Sequence, residues 1–77
     1  MPSRFYRVPL DQIGYMRAVV EGYDGVAAIF ARDPNRGEVE WIIGEGLEDE
    51  ALAIARRLEL ETGLVEIARP IDWEPFE

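Results

Sequence analysis

Carboxylates, arginines and tyrosines are the main side chains with which this 77-residue sequence could perform catalysis. It contains no histidine, cysteine or lysine, and its aliphatic hydroxyls are limited to Ser3 and Thr62. The usual pairs of nucleophile and base therefore cannot be assembled. Glu38 and Glu40, two residues apart in an alternating segment, could act as an acid and a base. Charged surface positions are ordinary, so this pair is interpreted as a solvated or intersubunit face, and no catalytic residue is predicted.

Three acidic or glycine-bearing segments have some features of a ligand site, but none has the full pattern. Residues 33–37 (DPNRG) begin like a calcium loop, but Gly44 stands where that loop requires a glutamate. Residues 44–46 (GEG) precede a helix, yet they lack the lysine and the third glycine of phosphate-binding loops. The acids at 48–50 suit the positive end of a helix dipole without a metal. No metal and no cofactor is predicted.

The composition restricts the partners. Sixteen acids against eight arginines give a net charge of -8, which repels nucleic acid, so a nucleic-acid partner is not expected. No apolar run approaches the roughly 18 residues of a membrane span, and the first residues do not resemble a signal peptide. We therefore expect a cytoplasmic protein without membrane contact. Because 48% of the residues are hydrophobic, we also expect a packed core.

The hydrophobic pattern changes period along the chain. Residues 4–8 alternate as a strand before Pro9, and a helical period from Leu10 ends at Gly22 and Gly25. Residues 26–31 and 38–43 predict two strands that form a hairpin around the turn at 33–37. A second helical period covers 47–62, and a last strand covers 64–69.

This order predicts one α+β domain over residues 1–70. We expect a ferredoxin-like βαββαβ sandwich, with a four-stranded antiparallel sheet of order 4-1-3-2 and two helices on one face. Gly14 would lie in the first helix, and a close approach to the sheet or to the second helix would explain it. Residues 71–77 are expected to form an extended tail carrying Trp73 and Phe76.

Alternation assigns the side chains to the two faces of the predicted sheet. Facing the helices we expect Tyr6, Val8, Val39, Trp41 and Ile43. Facing away, as a candidate interface, we expect Phe5, Arg7, Glu38, Glu40 and Ile42, extended by Ala27, Ile29, Leu64 and Glu66. Arg7 is expected to pair with Glu40. A second copy of the chain or the tail, through Trp73 and Phe76, would cover this face.

The segment 21–25 (EGYDG) is the best candidate site for a ligand or partner. It joins the first helix to the second strand, and loops on a rigid scaffold concentrate binding residues. Tyr23 and Asp24 are the binding candidates within it, together with Asp11 at the start of the first helix. A helix end followed by a turn would explain the same residues without any function.

Several of these segments are similar to those of a known family. The segments 13–16 (IGYM), 21–27 (EGYDGVA), 33–34 (DP) and 37–39 (GEV) resemble the small bacterial proteins grouped as domain of unknown function 4911. This resemblance covers roughly residues 4–64 and implies a bacterial source without an established activity. At the level of the fold, the chain also resembles the ACT regulatory domains, which dimerise. That resemblance implies a regulatory domain, although the first loop (VPLDQ, 8–12) has no glycine where theirs typically does.

The leading hypothesis is a non-enzymatic, self-associating ligand-binding or regulatory module that forms a homodimer. The first alternative is an adaptor that binds another protein through the Tyr23/Asp24 loop and the aromatic tail. The second alternative is an enzyme that uses carboxylates and arginines, with or without a divalent metal.

Overall fold

The computed structural model describes residues 2–69 of the chain. Within this range the elements are β1 (Ser3–Arg7), α1 (Ile13–Glu21), β2 (Ala27–Asp33), β3 (Glu38–Ile43), α2 (Glu48–Thr62) and β4 (Val65–Ile67). A 3₁₀ turn at Leu10–Gln12 precedes α1. The predicted element order is confirmed. The predicted tail at 71–77 lies outside the described residues.

The four described strands form one antiparallel sheet of order β2-β3-β1-β4. Viewed from the opposite edge, this is the predicted order 4-1-3-2. The turn after β2 is closed by a hydrogen bond from the Arg36 amide to the Asp33 carbonyl oxygen, 3.1 Å long. The hairpin of β2 and β3 is therefore confirmed, and β1 and β3 are the two central strands.

The core lies between the helices and one face of this sheet. All five residues predicted to face the helices are buried in a single cluster. They pack against Met16 and Val20 of α1 and against Ala51, Ile54 and Leu58 of α2. The rings of Tyr6 and Trp41 are neighbours in this cluster, with 4.6 Å between their centroids. Burial, followed by the nearby Glu66 carboxylate, raises the pKa of Tyr6 to about 12.

For the two outer strands, β2 and β4, the sequence prediction assigned the residues to the wrong faces of the sheet. Ile29 and Leu64 are buried in the core, and Ala27 packs against it. Glu66 lies opposite Tyr6, which faces the helices, and its carboxylate accepts a 2.8 Å hydrogen bond from Arg4. Register with β3 and β1 instead places Ala28, Phe30, Val65 and Ile67 on the open face. Residues 27–31 are apolar at every position, so alternation alone could not set the phase of β2.

Gly14 and Gly37 have opposite surroundings. A Cβ atom at Gly14 would meet no atom within 4 Å, so the predicted close approach to the sheet or to α2 is wrong. Gly37 is buried with a φ of 70°, and its carbonyl accepts a 2.9 Å hydrogen bond from the Val8 amide. A Cβ atom there would overlap the Val8 carbonyl oxygen. Gly37 is therefore required where the hairpin turn meets the end of β1.

Alanine substitutions at these two glycines should change stability in opposite directions. Gly14→Ala should raise the free energy of unfolding by roughly 0.5–1 kcal/mol, because it removes backbone freedom from the unfolded chain at an open helical site. Gly37→Ala should lower it by more than about 1 kcal/mol, because the new methyl group overlaps a backbone carbonyl at positive φ. Urea unfolding followed by circular dichroism measures both values. Changes of the same sign in the two variants would contradict these assignments.

Candidate functional site

The open sheet face is less bare than the sequence predicted. Of the four predicted interface residues within the described part of the chain, Phe5 and Glu40 lie opposite each other on β1 and β3 and are only 5% and 2% exposed. Arg7 is exposed and Ile42 is half-buried. The isolated chain therefore already covers the middle of this face. Any partner on it would contact the two sides of the face rather than its centre.

Two ion pairs lie on this face. Arg7 donates from Nη2 to Oε2 of Glu38 over 3.1 Å, and Arg32 donates from Nε to Oε1 of Glu40 over 2.8 Å. The predicted pair of Arg7 with Glu40 is therefore wrong. The register sets Arg7 opposite Glu38, and a β-bulge between Ala31 and Asp33 contains Arg32.

A cation–π contact lies on the β4 side of this face. The Arg69 guanidinium lies 5.9 Å from the centroid of the Phe5 ring, within cation–π range. Trp73 and Phe76, the tail residues predicted to join the interface, lie outside the described residues.

On the helical side of the molecule, Tyr23 belongs to a network of four side chains. Tyr15 donates from its hydroxyl to Glu61 Oε1 over 2.8 Å. Arg57 donates from Nε to both oxygens of Glu61 over 3.1 Å, and from Nη1 to the Tyr23 hydroxyl over 3.1 Å. The network joins α1, α2 and the loop after α1. It holds the Arg57 guanidinium against the Tyr23 phenol.

Next to this network lies a surface cavity of about 250 Å³, called the Tyr23 hollow below. Its lining residues are Tyr23, Val26, Glu50, Ala53, Ile54 and Arg57. Val26 and Ile54 are buried core residues, so the hollow opens onto the apolar interior between the loop after α1 and α2. Small-molecule sites combine such an apolar surface with a few oriented polar groups.

The charges around the Tyr23 hollow are unevenly balanced. The hydrogen bond from Tyr15, followed by those from Arg57, lowers the pKa of Glu61. The Glu61 hydrogen bond in turn raises the pKa of Arg57, so these two charges are fixed as a pair. Glu50 has no ion-pair partner among residues 2–69. The rim therefore presents one uncompensated carboxylate.

The other two predicted binding residues lie apart from the Tyr23 hollow. Asp24 follows Tyr23 in the loop and is exposed, but its side chain does not line the hollow. Asp11 is exposed in the 3₁₀ turn before α1, where no side chain caps the turn or the start of α1. Of these three candidates, Tyr23 lines this hollow, whereas Asp24 and Asp11 do not.

Sequence reasoning missed Arg57, Glu61, Tyr15 and Glu50 as members of this site. The spacing of Arg57 and Glu61, four residues apart on a predicted helix, does indicate an ion pair. Nothing local links that pair to Tyr23, which lies 34 residues before Arg57.

Residues 2–69 lack a metal-binding cluster and a membrane-spanning helix. They contain no group of three or more acidic side chains placed to hold a metal ion. No helix among them has the length and hydropathy needed to cross a membrane.

The fold and site define a small α+β protein with an open antiparallel sheet on one side and two helices on the other. Comparison of the chain with protein-family models, with curated proteins and with solved structures finds no match.

Removing the Tyr15 hydroxyl should raise the pKa of Glu61 toward its ordinary value. Tyr15 donates the hydrogen bond that contributes most to stabilising the Glu61 carboxylate, and Tyr15→Phe removes it. An NMR titration of the side-chain carboxyl carbon of Glu61 measures the change. A glutamate whose pKa is lowered by folding stabilises the fold at pH values above its ordinary pKa, and this stabilisation is lost as the pH falls through the pKa of the folded state. Tyr15→Phe should therefore destabilise the protein at neutral pH but not at strongly acidic pH.

Tyr23→Phe is the matched control for this titration. It removes a phenol of the same network that does not contact Glu61, so the pKa of Glu61 should change much less. Equal changes in the two variants would show that the Tyr15 hydrogen bond does not set this pKa.

Proposed function

We propose that this protein is a non-enzymatic, self-associating binding module that takes a small amine with an apolar body in the Tyr23 hollow. The element order and the sheet support a ferredoxin-like arrangement, and the sequence resemblances support a bacterial regulatory role. The observation that carries the proposal is the apolar hollow with one uncompensated carboxylate on its rim.

The residues around the hollow favour a cation over an anion. Arg57, the positively charged residue of the lining, already pairs with Glu61, so an incoming anion would compete with a fixed carboxylate. Glu50 precedes Arg57 by seven residues in α2, which corresponds to roughly 10 Å along the helix axis. An ammonium group at Glu50 would leave the apolar body of the ligand over Ala53 and Ile54. The net charge of -8 also attracts cations to the surface.

The size of the cavity limits the ligand. A volume of about 250 Å³ is slightly below the usual range for drug-sized ligands, so a molecule of about ten non-hydrogen atoms suits it. Such a small ligand binds with a dissociation constant on the order of 1 mM unless it makes further contacts. A metabolite at high concentration or the amino group of a partner protein would meet this requirement.

Self-association is proposed through the edge strand β2. This strand has seven residues, of which 27–31 carry no charge, whereas β4 at the other edge has only three. Among the described strands, only β3 pairs with β2. A long uncharged edge is a template for pairing with a further strand. A second copy pairing β2 with β2 around a two-fold axis would continue the sheet to eight strands.

The adaptor alternative is favoured by the exposure of Tyr15 and Tyr23 beside the hollow. They are 44% and 41% exposed, and tyrosine is enriched among the residues that dominate protein interfaces. In that case the hollow would receive an apolar side chain of the partner.

Binding of an amine should depend on both Glu50 and the free volume of the hollow. We expect 3-phenylpropylamine to shift the backbone amide NMR signals of Tyr23, Ala53 and Arg57 saturably, and to bind more tightly than 3-phenylpropanol. Glu50→Gln should weaken the amine about threefold, as expected for an exposed ion pair. Ala53→Phe should abolish these shifts by filling the hollow.

Asp49→Asn is the matched control, because it removes a carboxylate from the same first turn of α2 outside the lining. It should leave amine binding nearly unchanged. Equal weakening by Glu50→Gln and Asp49→Asn, or equal binding of the alcohol and the amine, would contradict the amine proposal. Absence of small-molecule binding, with capture of a defined host protein by the wild type and not by Ala53→Phe, would support the adaptor instead.

A charge introduced on the edge of β2 should prevent self-association. Ala28 is exposed on this strand, and Ala28→Arg would place a charge within the uncharged stretch that is proposed to pair. Sedimentation velocity at micromolar concentration should show a dimer for the wild type and a monomer for this variant. Leu60→Arg, at a position 91% exposed on α2, should stay dimeric. A monomeric wild type would refute the self-association.

A further inference from the structure

A second cavity, of about 360 Å³, lies where three chain segments meet. It is called the Arg36 hollow below. The segments are the loop after β1, the turn between β2 and β3, and the start of β4 with the residue that ends α2. The loop after β1 contributes Pro9 and Leu10, and the hairpin turn contributes Asn35 and Arg36. Gly63 comes from the end of α2 and Val65 from the start of β4.

Two backbone features hold these segments together. The Val8 amide donates to the Gly37 carbonyl, which fixes the hairpin turn against the end of β1. Gly63 ends α2 with a φ of 83°, and a Cβ atom there would lie 3.7 Å from Cγ of Pro9. The loop after β1 therefore packs closely on the end of α2. Arg7 and Arg36 are brought to the same cavity although 29 residues separate them in sequence.

One carboxylate serves both of these arginines. Arg7 Nη2 lies 3.1 Å and Arg36 Nε lies 3.7 Å from the same atom, Oε2 of Glu38. In the other ion pairs between residues 2 and 69, each arginine has a carboxylate of its own, as in Arg4–Glu66, Arg17–Glu21, Arg32–Glu40 and Arg57–Glu61. Glu38 is only 7% exposed, so it neutralises one of the two guanidinium groups from beneath. Among residues 2–69, Glu38 supplies the only carboxylate within 4 Å of these two guanidinium groups, and Asp33, opposite Glu38 in the sheet, forms no ion pair with either.

The lining suits an anion with an apolar part. No acidic residue lines the Arg36 hollow, and the Asn35 amide and the remaining guanidinium N–H groups are hydrogen-bond donors. Arg7 and Arg36 have side chains that are 50% and 67% exposed, so these donors are accessible from solvent. Leu10 and Val65, which are 58% and 49% exposed, form an apolar wall beside them. Guanidinium groups bind carboxylate and phosphate oxygens with two parallel hydrogen bonds.

We propose that the Arg36 hollow binds a small organic anion. Its carboxylate or phosphate group accepts hydrogen bonds from Arg7 and Arg36, and its apolar part lies against Leu10 and Val65. This site differs in place and in ligand charge from the Tyr23 hollow, with which it shares no lining residue. The two proposed sites therefore have opposite charge preferences, and each can exist without the other.

The test is an NMR titration of the full chain with hexanoate and with hexyl phosphate. Either probe should shift the amide signals of Leu10, Arg36 and Val65 saturably, and the tighter one identifies the preferred head group. Hexanol tests the need for the charge, and inorganic phosphate tests the need for the apolar part. Both should bind at least about threefold more weakly than the better probe, because each lacks half of the expected contacts.

Arg36→Gln is the deciding variant, because this exposed side chain makes only the longer contact to Glu38 and its loss should not unfold the protein. It should weaken the better probe about tenfold, as expected when one partner of a charge-assisted bidentate contact is lost. Arg56→Gln is the matched control: it removes the same charge from an exposed position on α2 that lines neither hollow.

Three results would overturn the proposal. Equal weakening by Arg36→Gln and Arg56→Gln would mean that the attraction is not specific to the hollow. Hexanol binding as tightly as both anions would mean that the arginines do not contribute. No saturable shift with either anion up to 20 mM, well above the millimolar affinity expected of so small a ligand, would mean that there is no site. Glu50→Gln and Ala53→Phe, which alter the Tyr23 hollow, should leave the result unchanged.

Discussion

The antiparallel pairing of β1 with β3 is the contact on which the rest of the structure depends. It sets Tyr6 opposite Val39 and Phe5 opposite Glu40, which decides what each face of the sheet carries. A slip of one residue would turn Tyr6 away from the helices and bring Arg7 toward them. The Tyr6 hydroxyl and the Trp41 indole N–H are both buried with no hydrogen-bond partner among residues 2–69. Each such group costs about 1–3 kcal/mol, which the burial of the two large rings must offset.

The same pairing explains how an acidic chain buries two glutamates. Glu38 and Glu40 both face away from the helices, where arginine side chains can reach them from β1 and from the bulge in β2. The carboxylates are largely desolvated but remain charge-paired, which a position among the helices would not have allowed. Their burial in the isolated chain also limits the open face as a docking surface. Its accessible parts are the edge of β2 and the end near Arg7 and Val65.

The distribution of arginines gives the two hollows their different chemistry. In the Tyr23 hollow, Arg57 pairs with Glu61, and Glu50 has no ion-pair partner among residues 2–69. In the Arg36 hollow, two arginines share the carboxylate of Glu38. Both sites lie where loops or turns meet a helix, and the two strand residues of the Arg36 hollow, Arg7 and Val65, lie at strand ends. The scaffold thus places both proposed sites at its periphery, where loops on a rigid framework commonly carry binding residues.

Predictions from the sequence were reliable where one strand alternates clearly. The inward faces of β1 and β3 were correct because Arg7 and Glu38 mark the outward positions. The residues of β2 were assigned to the wrong faces because its first five residues are all apolar. Arg7 was given the wrong partner because the register between two strands cannot be predicted from the local sequence of either strand. Tyr23 was identified by the glycines around it. Its partner Arg57 was not, because the helix and the loop meet only after packing.

The sequence by itself determined the order of the elements, the hairpin turn at 33–37 and the α+β class, because these follow from periods of 2 and 3.6 residues and from turn chemistry. Only the tertiary structure decided which side chains meet across those elements. It assigned Glu38 to two arginines and left Glu50 without an ion pair among residues 2–69. The charged residues around each cavity are distant in sequence. The balance of their charges is therefore set only when the helices and the hairpin pack together.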